Sequence, residues 1–124
     1  MRLALLLVVA IVTACVPAAS AADKARTTVT LSSIGLGHGE TRWGGPISSP
    51  SKTCKNNRRV LVFRVHRGKD EKVGATKSYK GISAKGYFWT YSQPGTAPSG
   101  KYYAKVKPTD TCKGDRSETV QGPS

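Results

Sequence analysis

The stretch Cys54-Lys55-Asn56-Asn57-Arg58-Arg59-Val60-Leu61-Val62-Phe63-Arg64-Val65 decides the fold. A polar turn closes at Arg59, and five of the six residues after it are β-branched, aromatic or leucine. The run is short for a helix and rich in strand formers, so Arg59 to His66 is expected to be the central strand of a sheet. Both of its alternations are apolar, Val60 and Val62 against Leu61, Phe63 and Val65, which leaves open which face is buried.

Working outward, other segments read as strands around this one. Thr27 to Ser32 alternates, with Val29 and Leu31 facing inward, and forms the first strand. Gly35, Gly37, Gly39, Gly44 and Gly45 then suggest a loose, turn-rich region around Trp43, followed by a short strand at Pro46-Ile47-Ser48. Arg67-Gly68-Lys69-Asp70 is a hairpin signal, and Lys72 to Lys77 is the returning strand. Tyr87-Phe88-Trp89-Thr90-Tyr91 has strong aromatic β-propensity. After a Pro/Gly-rich loop from Pro94 to Gly100, Lys101 to Lys107 puts Tyr102, Ala104 and Val106 inward and the lysines out. Arg116 to Gln121 closes the set, and residues 122–124 are expected to fray. About seven short strands with turns every 8–12 residues, and no amphipathic helix, predict an all-β sandwich of two antiparallel sheets spanning residues 23–121.

The first 22 residues read as a secretory leader. Met1-Arg2 is a minimal positive start, Leu3 to Val12 is apolar, and Ala19-Ser20-Ala21 is an A-x-A cleavage site. The apolar run is about half the length a membrane-spanning helix needs. Val12-Thr13-Ala14-Cys15 also resembles a bacterial lipobox, in which Cys15 would carry the lipid. Free secretion and a lipid-anchored cell-surface protein therefore both stand, and a membrane is expected to be met only through that anchor. Removing the leader takes away Arg2, leaving 19 basic residues against 7 acidic and a net charge of about +12. Such a field suits solubility or an anionic partner. The basic residues are spread along the sequence, and an exported chain rarely meets nucleic acid, so none is expected as partner. Two cysteines remain, in a compartment that favours disulfides, and a Cys54–Cys112 bridge is expected. Closing a loop of that size is worth about 4 kcal/mol in the chain-entropy model.

Several motifs carry a resemblance. The order Gly45-x-Ile47, Val60-x-Val62 followed by Arg64, Gly86-x-Phe88 and Gly100-x-Tyr102-x-Ala104-x-Val106 is similar to the carboxypeptidase-regulatory-like (transthyretin-like) group of bacterial immunoglobulin-like β-sandwiches. It resembles in particular small exported actinobacterial proteins of unknown function, which share a Cys-x-x-x-Arg-x-Val start, a Gly-Lys-Tyr-Tyr-Ala late strand and a Cys-x-x-Asp-Arg-Ser ending. The resemblance covers Gly45 to Val120 and rests on structural glycines and core positions. It implies an immunoglobulin-like fold and a non-catalytic module on a surface or beside an enzyme. Gly100-x-Tyr102-x-Ala104 also has the spacing of a tyrosine corner at Tyr102, with core packing of the same ring as the simpler expectation.

Catalytic chemistry finds little support. Gly35-x-Gly37-x-Gly39 lacks the lysine and helix of a phosphate loop. His38 and His66 lie in a loop and at a strand end, and no serine sits in a nucleophile elbow. The acids Asp23, Glu40, Asp70, Glu71, Asp110, Asp115 and Glu118 fall mostly in turns. Asp110 and Asp115 are too few and too lysine-rich in setting for calcium, and Asp115-Arg116 reads as a turn with a local ion pair. No cofactor, metal or catalytic residue is expected. A core made of Phe88 and Thr90 would leave Tyr87, Trp89 and Tyr91 in an outward row able to stack on sugars or a partner. The other outcome is that this row packs beneath the Pro/Gly loop or Trp43. The expectation is thus a non-enzymatic exported module, structural or binding, with an anionic envelope polymer or a carbohydrate as partner. The alternative is a free secreted cationic effector or hydrolase inhibitor working through Ser92 to Ser99.

Overall fold

A computed structural model describes residues 23–123. The expected leader, residues 1–22, and with it Cys15, lies outside the described residues. Ten strands form: β1 (Thr28–Val29), β2 (Ser33–Gly37), β3 (Glu40–Ser48), β4 (Arg59–Arg64), β5 (Glu71–Lys77), β6 (Tyr79–Lys80), β7 (Tyr87–Pro94), β8 (Lys101–Val106), β9 (Asp115–Arg116) and β10 (Val120–Gln121). One 3-10 turn, Lys52–Cys54, is the only helical piece among the described residues. The first sheet runs β1-β3-β7-β6, with β2 beside β1 on β3; the second runs β10-β8-β4-β5, with β9 beside β10 on β8. Both sheets are antiparallel throughout. With β1/β2 and β9/β10 each taken as one interrupted edge strand, the pairing order is that of an immunoglobulin-like sandwich.

The seven expected strands are all present. One more, β2, arises where the sequence suggested a loose region; β6 is a second addition, and the expected closing strand is divided into β9 and β10. Gly35 to Gly45 is a hairpin of β2 and β3 in full register from Ser33↔Gly44 to Gly37↔Glu40. His38 and Gly39 make its turn, both in the left-handed region at φ 52° and 74°, as a type I′ turn requires. The short strand at Pro46–Ser48 is the end of the nine-residue β3. The glycines hid this strand because they carry no side chain to display an alternation. The tail is also firmer than expected: Gly122 is buried, and its N–H donates to the Gly100 carbonyl.

The core lies between the sheets. Val29, Leu31, Trp43, Ile47, Trp89 and Tyr87 come from the first; Val60, Val62, Tyr102, Ala104 and Val106 from the second. Trp43, Trp89, Tyr102, Val60, Val62 and Val106 are its largest fully buried side chains. Burying each aliphatic or aromatic side chain is worth about 1.5–3 kcal/mol. The face left open in β4 is thereby settled, with Val60 and Val62 inward. Val29, Leu31, Tyr102, Ala104 and Val106 point as expected.

The aromatic strand is turned the other way from the outward-row expectation. Trp89 is 0% and Tyr87 8% exposed, while Phe88 and Thr90 of the same strand face out, half-buried. The register explains it. Tyr87, Trp89 and Tyr91 pair with Ile47, Gly45 and Trp43, so the bulkier row shares a face with the rest of the core. Gly45 lets the Thr30 carbonyl approach to within 2.0 Å of where a Cβ would stand. The Trp89 indole N–H donates to that carbonyl at 3.0 Å. Across the sandwich, a Cβ on Gly74 would meet the Tyr91 ring at 2.1 Å. Bulk on one sheet is matched by its absence on the other, as close packing demands.

Leu61 and Phe63 belong to a smaller apolar strip on the outer face of the second sheet. Phe63 stacks on Tyr103 with centroids 5.3 Å apart, and the Arg116 guanidinium lies 3.7 Å from the Tyr103 ring centre. The Tyr103 hydroxyl donates to Asp70 Oδ2 at 2.6 Å, and the His66 N–H donates to Asp70 Oδ1 at 3.1 Å. The Tyr103 bond first and the His66 amide second hold the Asp70 carboxyl below its ordinary value of 3.8. A depressed carboxyl stabilises the fold above its unfolded value and loses that contribution as pH falls through the folded one. Asp70→Asn is therefore expected to melt below the wild type at neutral pH, with the gap closing as pH drops below about 4. Thermal unfolding followed by circular dichroism across pH measures this, and a gap independent of pH would refute it.

Candidate functional site

Three connections leave the sandwich at one end. Arg59↔Lys77 and Val60↔Val106 terminate the second sheet there, as Ile47↔Tyr87 and Lys80↔Tyr87 terminate the first. The segments 49–58, 81–86 and 107–114 therefore share this end. Cys54, buried in the first, is bonded to Cys112 in the third, with Cα atoms 5.5 Å apart. The chain also enters here: Ala25 bridges Cys112, its N–H donating to the Thr111 carbonyl and its carbonyl accepting from Lys113 N–H.

Arg58 organises the end. It is 5% exposed. Its Nη1 donates to Thr27 Oγ1 and the Cys54 carbonyl, each at 3.0 Å; its Nη2 donates to the Lys107 carbonyl at 3.0 Å and the Lys113 carbonyl at 3.3 Å. All four acceptors are neutral oxygens. Burial pulls its pKa below the ordinary arginine value, but guanidinium pKa values lie so high that the group stays charged. Backbone bonds lock the neighbouring turn: Arg58 N–H donates to Ser78 Oγ, and that hydroxyl donates to the Lys55 carbonyl.

Around this buried cation the surface is basic as well. Lys52, Lys55, Lys85, Lys107 and Lys113, from loops far apart in sequence, share this end with Lys80 of β6. Asp110 is the one carboxylate among segments 49–58, 81–86 and 107–114. A cavity of about 270 Å³ opens here between Arg59 and Lys107, with Leu61 and Asn57 in its wall. Ile82, fully exposed, stands at the tip of the loop that Gly81 and Gly86 close with a backbone hydrogen bond. A surface of this kind concentrates polyanions by its field.

The residues singled out from sequence fare unequally. Tyr87, Trp89 and Tyr91 are brought together, but inside the core, so they make no outward binding row. Tyr102 forms the tyrosine corner, its hydroxyl donating to the Pro98 carbonyl, and burial pushes its pKa up. His38 and His66 are both exposed, and no group of three or more histidine, cysteine or acidic residues could hold a metal among the described residues. Asp115 makes no ion pair with Arg116. Its Oδ2 accepts the Val29 N–H at 2.8 Å, tying the two sheet edges together. Ser92–Ser99 is pinned: Thr41 Oγ1 donates to the Gly95 carbonyl and accepts the Ala97 N–H, and Ala97 is buried.

The basic end itself was missed. Its lysines are scattered in sequence and adjacent only through topology. The available signal was that alternate connections of an antiparallel sandwich share an end. Comparison with protein-family models, with curated proteins and with solved structures gives no match.

Arg58→Met is expected to destabilise the fold by about 3 kcal/mol, because four oxygens lose a charged donor at once. Urea denaturation of the oxidised protein measures it. A loss under about 1 kcal/mol would show that water replaces the guanidinium without penalty.

Proposed function

We propose that this chain is a non-enzymatic exported domain that serves the cell envelope as a structural or binding module, docking by its disulfide end on an anionic envelope polymer. The observation that carries this reading is the gathering of five lysines from three loops at one end, with Lys80 of β6 beside them and a single acid among those loops. The disulfide fits a compartment outside the cytoplasm. No helix among the described residues is long and apolar enough to cross a membrane. The resemblance to carboxypeptidase-regulatory-like domains supports a module without catalysis. Because the chain enters the domain beside Cys112, a lipid on Cys15 would hold this same end towards the membrane.

The test is retention on isolated cell wall, with its anionic polymer intact or stripped, at low salt and at about 0.5 M salt. Replacing Lys52, Lys55, Lys85, Lys107 and Lys113 with glutamate is expected to abolish retention. Replacing Arg67, Lys69, Lys72 and Lys101, at the opposite end, is expected to leave most of it. Equal loss in both variants would reduce the effect to net charge, and no retention by the wild type would end the polymer reading.

A second reading, a secreted cationic effector or hydrolase inhibitor acting through Ser92–Ser99, is favoured by the pinning of that loop, since a pre-ordered loop binds with less entropic penalty. Thr41→Val frees two of its anchors. If the loop inhibits a hydrolase, that variant is expected to weaken inhibition about tenfold while unchanged cell-wall retention separates the two activities.

A further inference from the structure

The outer face of the first sheet carries a different kind of surface. Pro46 pairs with Phe88, and Phe88 with Tyr79, so these three apolar side chains form one row across β3, β7 and β6. The next row is Ser33, Gly44 and Thr90, and beyond it Arg42 pairs with Ser92. Gly44 has no side chain, and a Cβ there would stand 3.0 Å from the Trp89 carbonyl. The surface therefore drops from the apolar row into a notch rimmed by hydroxyls, and a cavity of about 260 Å³ lies over it. Tyr79 is 44% exposed, and its hydroxyl sits 3.0 Å from Thr90 Oγ1, which holds the ring in place.

We propose that this groove binds a neutral pyranose ring of a glycan. A sugar ring has an apolar C–H face and a polar edge. The row of Tyr79, Phe88 and Pro46 offers an aromatic surface to the first, and Thr90, Ser33 and Arg42 offer hydrogen bonds to the second. A peptide strand is disfavoured, because strand addition uses a sheet edge and this groove lies on the broad face over β3 and β7. Charge selects a neutral sugar. Arg42 Nη2 already bonds Glu40 Oε1 at 2.8 Å, and its Nε bonds Ser92 Oγ at 3.3 Å, so the groove holds no unbalanced cation. The groove is separate from the lysine-rich end, and its binding is independent of salt.

The chain from Asp23 onward contains every strand of the described residues and the disulfide, and it is the form to titrate. The probes are the tetrasaccharides of glucose, mannose, galactose and N-acetylglucosamine, followed by amide NMR at about 0.5 M salt, where electrostatic attraction is screened. At least one sugar is expected to shift the amides of Phe88, Thr90 and Gly44. Tyr79→Ala, a change at an exposed ring, is expected to weaken that sugar about tenfold, and Thr90→Val to do likewise. The glutamate variant of the lysine-rich end is expected to bind the sugar as the wild type does. No shift with any of the four up to about 10 mM, shifts confined to another face, or unchanged affinity in Tyr79→Ala would overturn the proposal. Loss of polymer retention leaves this result untouched, so the two readings fail separately.

Discussion

One buried guanidinium governs the architecture of the disulfide end. Arg58 gathers the entering chain at Thr27, the turn before β4 at Cys54, and the segment after β8 at Lys107 and Lys113. Removing a charge from water is expensive unless every donor is met. Here carbonyl and hydroxyl oxygens meet it, with no carboxylate involved. A planar fork with several donors can bridge four oxygens in separate segments, which a lysine ammonium on a flexible stem does poorly. The disulfide restrains two of the same segments covalently, so the loops that carry the surface lysines are fixed from beneath by both.

Much of the fold was legible because it rests on local signals. The apolar run at Val60–Val65, the alternation at Lys101–Lys107 and the two cysteines beyond the expected leader each pointed to a strand or a bridge. The glycine-rich hairpin was not legible, since its alternation falls on residues without side chains and its turn uses His38 in a left-handed conformation that histidine adopts only occasionally. The orientation of β7 was undecidable from its own residues. Either face could be made apolar, and the choice was made by Gly45 and Gly74 in other strands. Arg58 falls in the polar turn that closes at Arg59, with nothing local to mark it as buried. Its burial depends on carbonyls from positions 54, 107 and 113, which no local pattern reveals.

The same reasoning separates the two surfaces. Lysines on loops make a field without shape, suited to a flexible polyanion. The face of the first sheet has shape without net charge, because strand register fixes Pro46, Phe88 and Tyr79 in a line and Gly44 opens space beside them. The opposite outer face, that of the second sheet, is closed by the Phe63–Tyr103–Arg116 stack. The hollow on that face lies instead at its disulfide end, beside Leu61 and Arg59.

The described chain comes in beside Cys112 and goes out at Gly122, which is bonded to Gly100 at the far end. A pull between these points would run lengthwise along the strands, loading their hydrogen bonds in shear, where many must break together. Even after the sheets part, the 58-residue interval between the linked cysteines stays closed. Between those points the described chain lengthens only through residues 23–53 and 113–122, which gives this domain a short, built-in limit of extension under tension.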